Sequence, residues 1–237
     1  MDHYPTALQP LLAYSAKIGR DRSLVQGAGG NTSVKFGDVM WVKASGTWLS
    51  DALTQDIMVP LSVRAVKDVL ASPIATDLDF LKCVKSDLSP NGLRPSVETP
   101  IHAALDFKFV IHTHEVETVT TAIQQTSQQK FEQALEGLPW RYVPYIKPGV
   151  VLGRELQELK SPGDRVFVLE NHGLVVCGSD LDEVEHLTTE VRTRLMSARE
   201  ENAPLVASEP CLHKLDISGT GYRFADDTIL HLSLIHI

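Results

Sequence analysis

Apolar residues recur along this chain in two spacings, and each spacing predicts a different element. Residues 7–18 carry leucine, alanine and isoleucine at roughly helical spacing, which predicts a helix. Similar patterns predict helices over 61–70, 76–84, 99–106, 116–124, 128–135, 150–159 and 180–198. Short apolar runs predict strands over 33–36, 39–43, 57–60, 108–113, 165–169 and 174–177. Helices and strands are interspersed without an internal repeat, which predicts a protein of the α/β class.

Two turns rich in glycine and serine flank the first predicted hairpin. Residues 26–33 place three glycines within four positions before the first strand, and residues 44–47 follow the second strand. A hairpin turn at Gly37-Asp38 would bring both turns to the same end. Glycine permits positive φ, and successive N–H groups then form an anion-binding nest, so the pair predicts a phosphate pocket. A flexible turn has the same composition, and the spacing matches neither the dinucleotide fingerprint nor the Walker loop.

A His-x-His pair at the end of a predicted strand indicates a candidate metal site. Alternate side chains of a strand share a face, so His112 and His114 should point the same way. His172 follows far downstream in an Asn-His-Gly sequence, and Glu98 precedes the pair. Three imidazoles make an open site for a divalent transition metal, and the carboxylate could complete it or act as a base. Each histidine alone is more often a core or surface residue, but their occurrence with the glycine-rich turn favours metal binding.

These motifs, in this order and at about this spacing, resemble the class II aldolase/adducin family. They are Gly29-Gly30-Asn31-Thr32-Ser33, Ser45-Gly46-Thr47, Glu98-Thr99-Pro100-Ile101-His102, His112-Thr113-His114 and Asn171-His172-Gly173-Leu174-Val175. The resemblance covers residues 5–200 and is closest to the branch that handles fuculose and rhamnulose phosphates, with bacterial aldolase-like members also similar. It implies one domain over residues 1–237, with three α/β/α layers around a largely antiparallel or mixed sheet. Residues 202–237 match poorly and are expected to form a C-terminal extension or tail.

The resemblance also implies roles for individual residues. The metal ligands would be His112, His114 and His172, and Glu98 would be the base, which can also ligate the metal when substrate is absent. The substrate phosphate would be held by small and polar residues, namely Gly30, Asn31, Ser45, Gly46 and Ser96. One divalent ion per chain is expected, with Zn²⁺ first and Mn²⁺ or Co²⁺ as alternatives. Family members borrow residues from a neighbouring subunit, so a homotetramer with active sites at subunit contacts is expected.

Three features depart from the family pattern. Val97 stands where the sugar-phosphate aldolases often have a second serine, which weakens the expectation of a phosphorylated substrate. Glu115 directly follows the histidine pair, and strand alternation predicts that it faces solvent instead of a metal. The family's tyrosine proton donor has no matching motif, although Tyr142, Tyr145 and Tyr222 are available.

These residue types suit a divalent-metal-dependent aldolase, a carbon–carbon lyase that cleaves a ketose phosphate or a related hydroxy-carbonyl compound. A metal that chelates the carbonyl and the neighbouring hydroxyl stabilises the enediolate as a Lewis acid, and Glu98 moves a proton. The two turns contain no arginine, so dipoles would hold the anion, with Lys35 or Lys43 as nearby cations. A sugar-acid phosphate decarboxylase or a sugar-phosphate 4-epimerase would use the same chemistry and stays open. The complete ligand set disfavours a non-catalytic, adducin-like scaffold.

Composition and charge disfavour nucleic-acid and membrane partners, which agrees with the small-molecule substrate that the resemblance implies. Of 237 residues, 43% are hydrophobic and 22% are charged, as in an ordinary globular protein. The net charge of −8 disfavours nucleic acid, and no apolar run reaches membrane-spanning length. Cys83, Cys177 and Cys211 are odd in number and never in CxxC spacing, and the start of the chain lacks a signal-peptide pattern. Together these features predict a cytoplasmic protein with reduced thiols. The apolar residues 232–237 have no predicted role.

Overall fold

A seven-stranded sheet forms the centre of the fold. This computed structural model describes residues 4–88 and 92–201. The strands are β1 (Asn31–Phe36), β2 (Val39–Lys43), β3 (Met58–Ser62), β4 (Phe109–Thr113), β5 (Trp140–Val143), β6 (Val166–Leu169) and β7 (Gly173–Gly178). Their order across the sheet is β3-β2-β1-β4-β7-β6-β5, and neighbours are antiparallel except for the parallel pair β5 and β6. The predicted mixed, largely antiparallel sheet is therefore confirmed.

Eight α-helices cover the two faces of the sheet in the part of the chain that the structure describes. They are α1 (Gln9–Gly19), α2 (Val63–Ala71), α3 (Asp77–Phe80), α4 (Thr99–Ala104), α5 (Val116–Ala122), α6 (Ser127–Ala134), α7 (Val150–Leu159) and α8 (Leu181–Glu201). Strand residues alternate between two apolar clusters. Ile111 lies in the cluster with α1, α5, α6 and α8, whereas Val110 lies in the cluster with α2, α3, α4 and α7. The three-layer α/β/α architecture is confirmed.

The β1–β2 hairpin and the central strand β4 bring several loops to one end of the sheet. The register pairs Phe36 with Val39, and the two-residue turn begins with Gly37 at a φ of 58°, as a tight hairpin requires. The predicted hairpin is therefore confirmed. Antiparallel pairing of Asn31 with His112 places the start of β1, the end of β2 and the end of β4 together. We refer to this edge as the site end of the sheet.

Two elements differ from the sequence prediction. The pattern does not predict β5, because this edge strand has only four residues and three of them are partly exposed. Residues 76–84 were expected to form one helix, but α3 is followed by a 3-10 turn over Leu81–Cys83. Phe80 and Cys83 are buried, so the change of helix type still turns both side chains toward the core.

The structure also locates two of the three cysteines. Cys83 and Cys177 are buried free thiols. Cys211, Tyr222 and the predicted tail at 202–237, with its apolar residues 232–237, lie outside the described residues. Among the helices of residues 4–88 and 92–201, none combines the length and the apolar character needed to cross a membrane.

Candidate metal centre

Four side chains converge at the site end of the sheet. Glu98, His112, His114 and His172 each offer one ligand atom, and these atoms all lie within 4.8 Å of one another. The His112 ring centroid lies 5.1 Å from that of His114 and 4.8 Å from that of His172. All four residues that the sequence singled out for metal chemistry are thus brought into one group.

The backbone explains how the histidines meet. His112 lies on β4, buried between its β1 partner Asn31 and its β7 partner Val175. His114 follows two positions later and joins it on the same side. The turn from β6 to β7 carries His172, and Asn171 adopts a φ of 54°, the one positive value among the described non-glycine residues. Asparagine tolerates this left-handed conformation, so the short turn can direct His172 into the group.

Two glycines leave the space that the imidazole rings occupy. A Cβ atom at Gly173 would lie 2.5 Å from the carbonyl oxygen of Thr113 and 3.2 Å from the His112 ring. A Cβ atom at Gly29 would lie 2.9 Å from His114 Nδ1. The sequence pattern predicts a turn at Gly29, but it does not show that Gly29 and Gly173 also make room for imidazole rings.

The His112 imidazole is held in the form that a metal needs. Its Nδ1 lies 3.0 Å from the carbonyl oxygen of Leu174, which can only accept, so Nδ1 carries the proton. Nε2 is then an unprotonated acceptor; it is buried and has no hydrogen-bond partner among the residues that the structure describes. Burial lowers the pKa of His112 to about 4, although the Glu98 carboxylate opposes the shift. A neutral imidazole whose other nitrogen is fixed by a carbonyl is typical of a metal ligand.

Glu98 links the histidines to the neighbouring turns. It lies just before α4, where Oε1 is 2.7 Å from His172 Nε2 and 3.4 Å from His112 Nε2. Oε2 accepts a hydrogen bond of 2.5 Å from Asn31 Nδ2. Burial alone would raise the pKa of Glu98, but the surrounding histidines hold it well below its usual range. The carboxylate is therefore ionised, with one oxygen toward the imidazoles and the other toward Asn31. Three imidazoles and one carboxylate form a donor set that fits Zn²⁺ and similar ions.

The five residues expected to hold an anion lie on adjoining segments beside Glu98. They are Gly30, Asn31, Ser45, Gly46 and Ser96. The segment before α4 pairs with the end of β2, where the Ser45 amide donates to the Arg94 carbonyl at 2.8 Å. Ser96 Oγ lies 3.5 Å from Asn31 Nδ2 and accepts from the Glu98 amide at 3.3 Å. Gly30 and Gly46 have φ values of 63° and 74°, which favour glycine.

His102 is a residue of the site whose role sequence reasoning missed. It is fully buried, and its Nε2 contacts Asn31 Oδ1 while its Nδ1 lies 2.8 Å from Ser33 Oγ. Burial lowers the pKa of His102 to about 3, so the ring is neutral. The contact with Oδ1 turns the Asn31 amide nitrogen toward Glu98. Two spacings could have revealed this: Glu98 and His102 are four apart at a helix start, and Asn31 and Ser33 are two apart on β1.

Two residues behave differently from the sequence expectation. The prediction that Glu115 faces solvent was wrong: it is fully buried and caps α5, accepting from the Thr118 amide at 2.7 Å. Strand alternation fails there because β4 ends at Thr113. Lys35 donates to the carbonyls of Leu105 and Phe107 at the far end of β1, away from the two turns.

Val97 and the tyrosines can also be placed. Val97 is 46% exposed beside Ser96. Tyr142 lies on β5, where its hydroxyl is 2.8 Å from Ser127 Oγ, and Tyr145 is exposed.

Comparison with known proteins agrees with this architecture. A family profile described as "Class II Aldolase and Adducin N-terminal domain" matches residues 9–196. "Uncharacterized oxidoreductase YuxG" of Bacillus subtilis is 32% identical over 193 residues, which are 73% of this chain and 27% of that protein. The chain thus matches only about a quarter of that relative's length.

A second relative and one solved structure span more of their own length. An L-fuculose phosphate aldolase of Methanocaldococcus jannaschii is 26% identical over 172 residues, covering 68% of this chain and 78% of that protein. The N-terminal class II aldolase domain of a conserved protein from Thermoplasma acidophilum has a TM-score of 0.71 at 27% identity, covering 82% of this chain and 94% of that one. The chain therefore belongs to the class II aldolase and adducin family.

Proposed function

We propose that this protein is a divalent-metal-dependent aldolase that cleaves a carbon–carbon bond in a ketose phosphate or a related hydroxy-carbonyl compound. The observation that carries the proposal is the single group formed by Glu98, His112, His114 and His172. Its position beside two glycine-containing turns adds a place for an anionic substrate group. The similarity to an L-fuculose phosphate aldolase supports the same reaction class.

The proposed metal is Zn²⁺, with Mn²⁺ or Co²⁺ as alternatives, at one ion per chain. His112, His114 and His172 would hold it, because neutral imidazoles suit these ions. A bound ion would supply Lewis-acid stabilisation of the negative charge that develops when the bond breaks.

The remaining chemistry falls to residues of this chain. In cleavage, the electron pair of the broken bond stays with the fragment that keeps the carbonyl, and the other fragment leaves as an aldehyde. The hydroxyl of the fragment that becomes the aldehyde must lose its proton, and the carbon beside the carbonyl of the other fragment must gain one. Glu98 moves a proton at that carbon or at the departing hydroxyl. Asn31 and His172 hold the carboxylate in place by contacting its two oxygens separately. Gly30, Asn31, Ser45, Gly46 and Ser96 would bind the phosphate, which positions the reacting carbon.

The products of the reaction distinguish an aldolase from a decarboxylase, a 4-epimerase and a non-catalytic scaffold. Purified protein is first analysed for metal and then incubated with a panel of ketose phosphates. We expect about one zinc per chain and release of an aldehyde, trapped as its hydrazone. Release of carbon dioxide from sugar-acid phosphates would identify a decarboxylase instead, and an epimerised pentose phosphate without fragments would identify a 4-epimerase. Metal-free protein that acts on none of these compounds would point to an adducin-like scaffold.

Assembly and location stay predictions. Family membership suggests a homotetramer with active sites at subunit contacts, and a mass measurement at micromolar concentration tests it, since a monomer alone would contradict it. A cytoplasmic location rests on the cysteine pattern, and a single domain over residues 1–237 rests on the motifs.

A further inference from the structure

Two side chains of one helix hold the two ends of a single amide group. Glu98 immediately precedes α4 and His102 lies in its last turn, so they are about one helical turn apart. Asn31, the first residue of β1, lies opposite both of them. Its Nδ2 donates to Glu98 Oε2 at 2.5 Å, and its Oδ1 contacts His102 Nε2. The Asn31 side chain therefore connects the imidazole of His102 to the carboxylate of Glu98.

The chemistry of these groups determines the direction of each hydrogen bond. The ionised Glu98 carboxylate can only accept, so Asn31 must present its amide nitrogen to Glu98 and its oxygen to His102. An amide oxygen can only accept as well, so the His102 Nε2 must carry a proton. Burial lowers the pKa of His102 to about 3, so the ring is neutral and its Nδ1 is an acceptor.

Ser33 supplies the donor that this acceptor needs. Its Oγ lies 2.8 Å from His102 Nδ1 and 3.5 Å from the carbonyl oxygen of Val110, so its single hydroxyl proton serves the shorter contact. Ser33, His102 and Asn31 are at most 2% exposed, which strengthens their hydrogen bonds and makes an unpaired partner costly. The result is one directed chain of donors that starts at Ser33 and ends at Glu98.

This chain engages one oxygen of Glu98 and leaves the other toward the histidines. Oε2 accepts from Asn31, whereas Oε1 faces His172 and His112. Without the donor on His102, the Asn31 amide is free to turn over and place its oxygen against the carboxylate, where two acceptors repel each other. Glu98 would then lose its partner and its orientation. A general base must lie within hydrogen-bond reach of its proton, so such a displacement costs rate.

We propose that His102 is a positioning residue for the acid–base step: it fixes the orientation of the Asn31 amide and thereby holds the Glu98 carboxylate in place. The inference rests on the proposed function, because it explains how the proposed base is oriented. His102 acts through Asn31 and is not itself the group that transfers the proton.

Three variants separate this role from a packing role. His102→Gln keeps an amide N–H donor near the position of Nε2, whereas His102→Leu fills the space without any polar atom. Thr32→Val is the matched control, since Thr32 is also fully buried on β1 but its hydroxyl lies 2.7 Å from Ser15 Oγ of α1, on the opposite face of the sheet. A residue that serves folding alone should behave like Thr32.

The first measurement does not depend on turnover. Nitrogen-15 NMR of metal-free protein at pH 7 reports the tautomer of His102 and the side-chain amide of Asn31. We expect a proton on Nε2 and none on Nδ1, and a strongly shifted Asn31 amide proton, because it bonds to a carboxylate. His102→Leu should lose that shift, whereas His102→Gln and Thr32→Val should keep it. A ring protonated on Nδ1 alone would reverse the chain and overturn the inference.

Kinetics then test the effect on the base. His102→Leu should lower kcat about ten- to a hundredfold, the usual loss for a residue that orients a functional group, while metal content stays at the wild-type level. His102→Gln should recover most of the rate, and Thr32→Val should keep it. If His102→Leu does not fold, Ser33→Ala replaces it, because Nδ1 then loses its donor and the tautomer with the proton on Nε2 is no longer favoured.

A double-mutant cycle with Glu98→Gln connects the two residues. Once the base is removed, His102→Leu should have no further effect on kcat. A general loss of folding would instead lower the rate by the same factor in both backgrounds, and that additivity would contradict the inference.

Two further outcomes separate the inference from the proposed function. If a folded His102→Leu protein keeps the wild-type kcat while Glu98→Gln loses it, the inference is wrong and the aldolase proposal stands. If the wild-type protein cleaves no substrate, the aldolase proposal fails, and the NMR spectra alone uphold or overturn the orientation of Asn31 by His102.

Discussion

The two ends of the β1–β2 hairpin each bury a lysine, but only one end carries a candidate site. At the far end, Lys35 donates to carbonyls that follow α4, and burial lowers the pKa of Lys35 to about 7. At the site end, Lys43 also donates to two carbonyls and also has a lowered pKa. The difference lies in what surrounds them. Beside Lys43 lie the two glycine turns, and Glu98 with its three histidines is close by.

The comparison teaches that a buried charge or a shifted pKa alone does not mark a functional site. Lys35 donates to carbonyls of the segment that follows α4, which is a structural task. A functional site requires that unlike groups converge, here three imidazoles, an ionised carboxylate and two glycine turns. We therefore expect changes at the site end to affect metal and turnover, and changes at the far end to affect stability.

The largest effect is expected from His114→Ala, which removes one of three imidazole ligands. The metal content should fall from about one ion per chain to a small fraction of that. Cleavage should become undetectable, because a divalent ion held by fewer side chains dissociates readily. His186→Ala is the matched control, since His186 is an exposed histidine on α8. A folded His114→Ala protein with full metal occupancy would refute the ligand assignment.

Glu98→Gln should leave the fold intact and lower kcat by roughly 10²–10⁴-fold, the usual contribution of a general acid or base. Glutamine keeps the size of the side chain and can still contact Asn31 by an amide flip. Metal analysis accompanies the kinetics. Retention of metal with loss of turnover supports the proton-transfer role, loss of metal makes Glu98 chiefly a ligand, and full activity removes it from the mechanism.

Gly173→Ala should weaken metal binding and destabilise the protein by roughly 1–3 kcal/mol, the usual cost of overpacking a tight site. The new Cβ atom would meet the Thr113 carbonyl and the His112 ring, so the end of β4 must shift. Gly163→Ala is the control, because nothing lies within 4 Å of a Cβ atom there. Urea unfolding and a zinc competition titration measure both effects, and identical behaviour of the two variants would contradict the steric argument.

The smallest effect on activity is expected from Lys35→Met, which should change only the pH dependence of stability. Burial lowers the pKa of Lys35 from its ordinary value of 10.5 to about 7 in the folded protein, so between these two values the unfolded chain binds more protons. Wild-type stability therefore gains from this group as the pH rises from 7 toward 10.5. The Lys35→Met variant lacks this gain. The free energy of unfolding, measured in urea at pH 7 and pH 10, should therefore rise less between these pH values in the variant than in the wild-type protein. An unchanged pH slope would mean that folding does not lower the pKa of Lys35.

The sequence correctly predicted those parts of the fold and of the candidate site that local patterns determine. The hairpin follows from Gly37-Asp38 between two short strands, and the buried strand before His112 is a continuous apolar run. The bounds of α7 agree with the helical spacing over Val150–Leu159. Each of these features depends on neighbours within a few positions, which is why the sequence alone suffices.

The remainder depends on contacts between distant residues. The role of His102 requires that its helix lies over β1, because Asn31 and Ser33 are its partners. Glu115 was expected to alternate with His114, but the strand ends first and the carboxylate turns to cap the next helix. Lys35 and Lys43 are equivalent in a pattern of charges, and only the three-dimensional structure shows which one bonds to the glycine turns.

The pairing of β4 between β1 and β7 has a consequence for how the protein folds. The four side chains that could hold a metal come from residues 98, 112, 114 and 172, so three chain segments must meet before all four donors are available. Such long-range contacts form slowly, because loop closure precedes any gain from the contacts themselves. Metal uptake should therefore occur late in refolding and should report on completion of the central three strands.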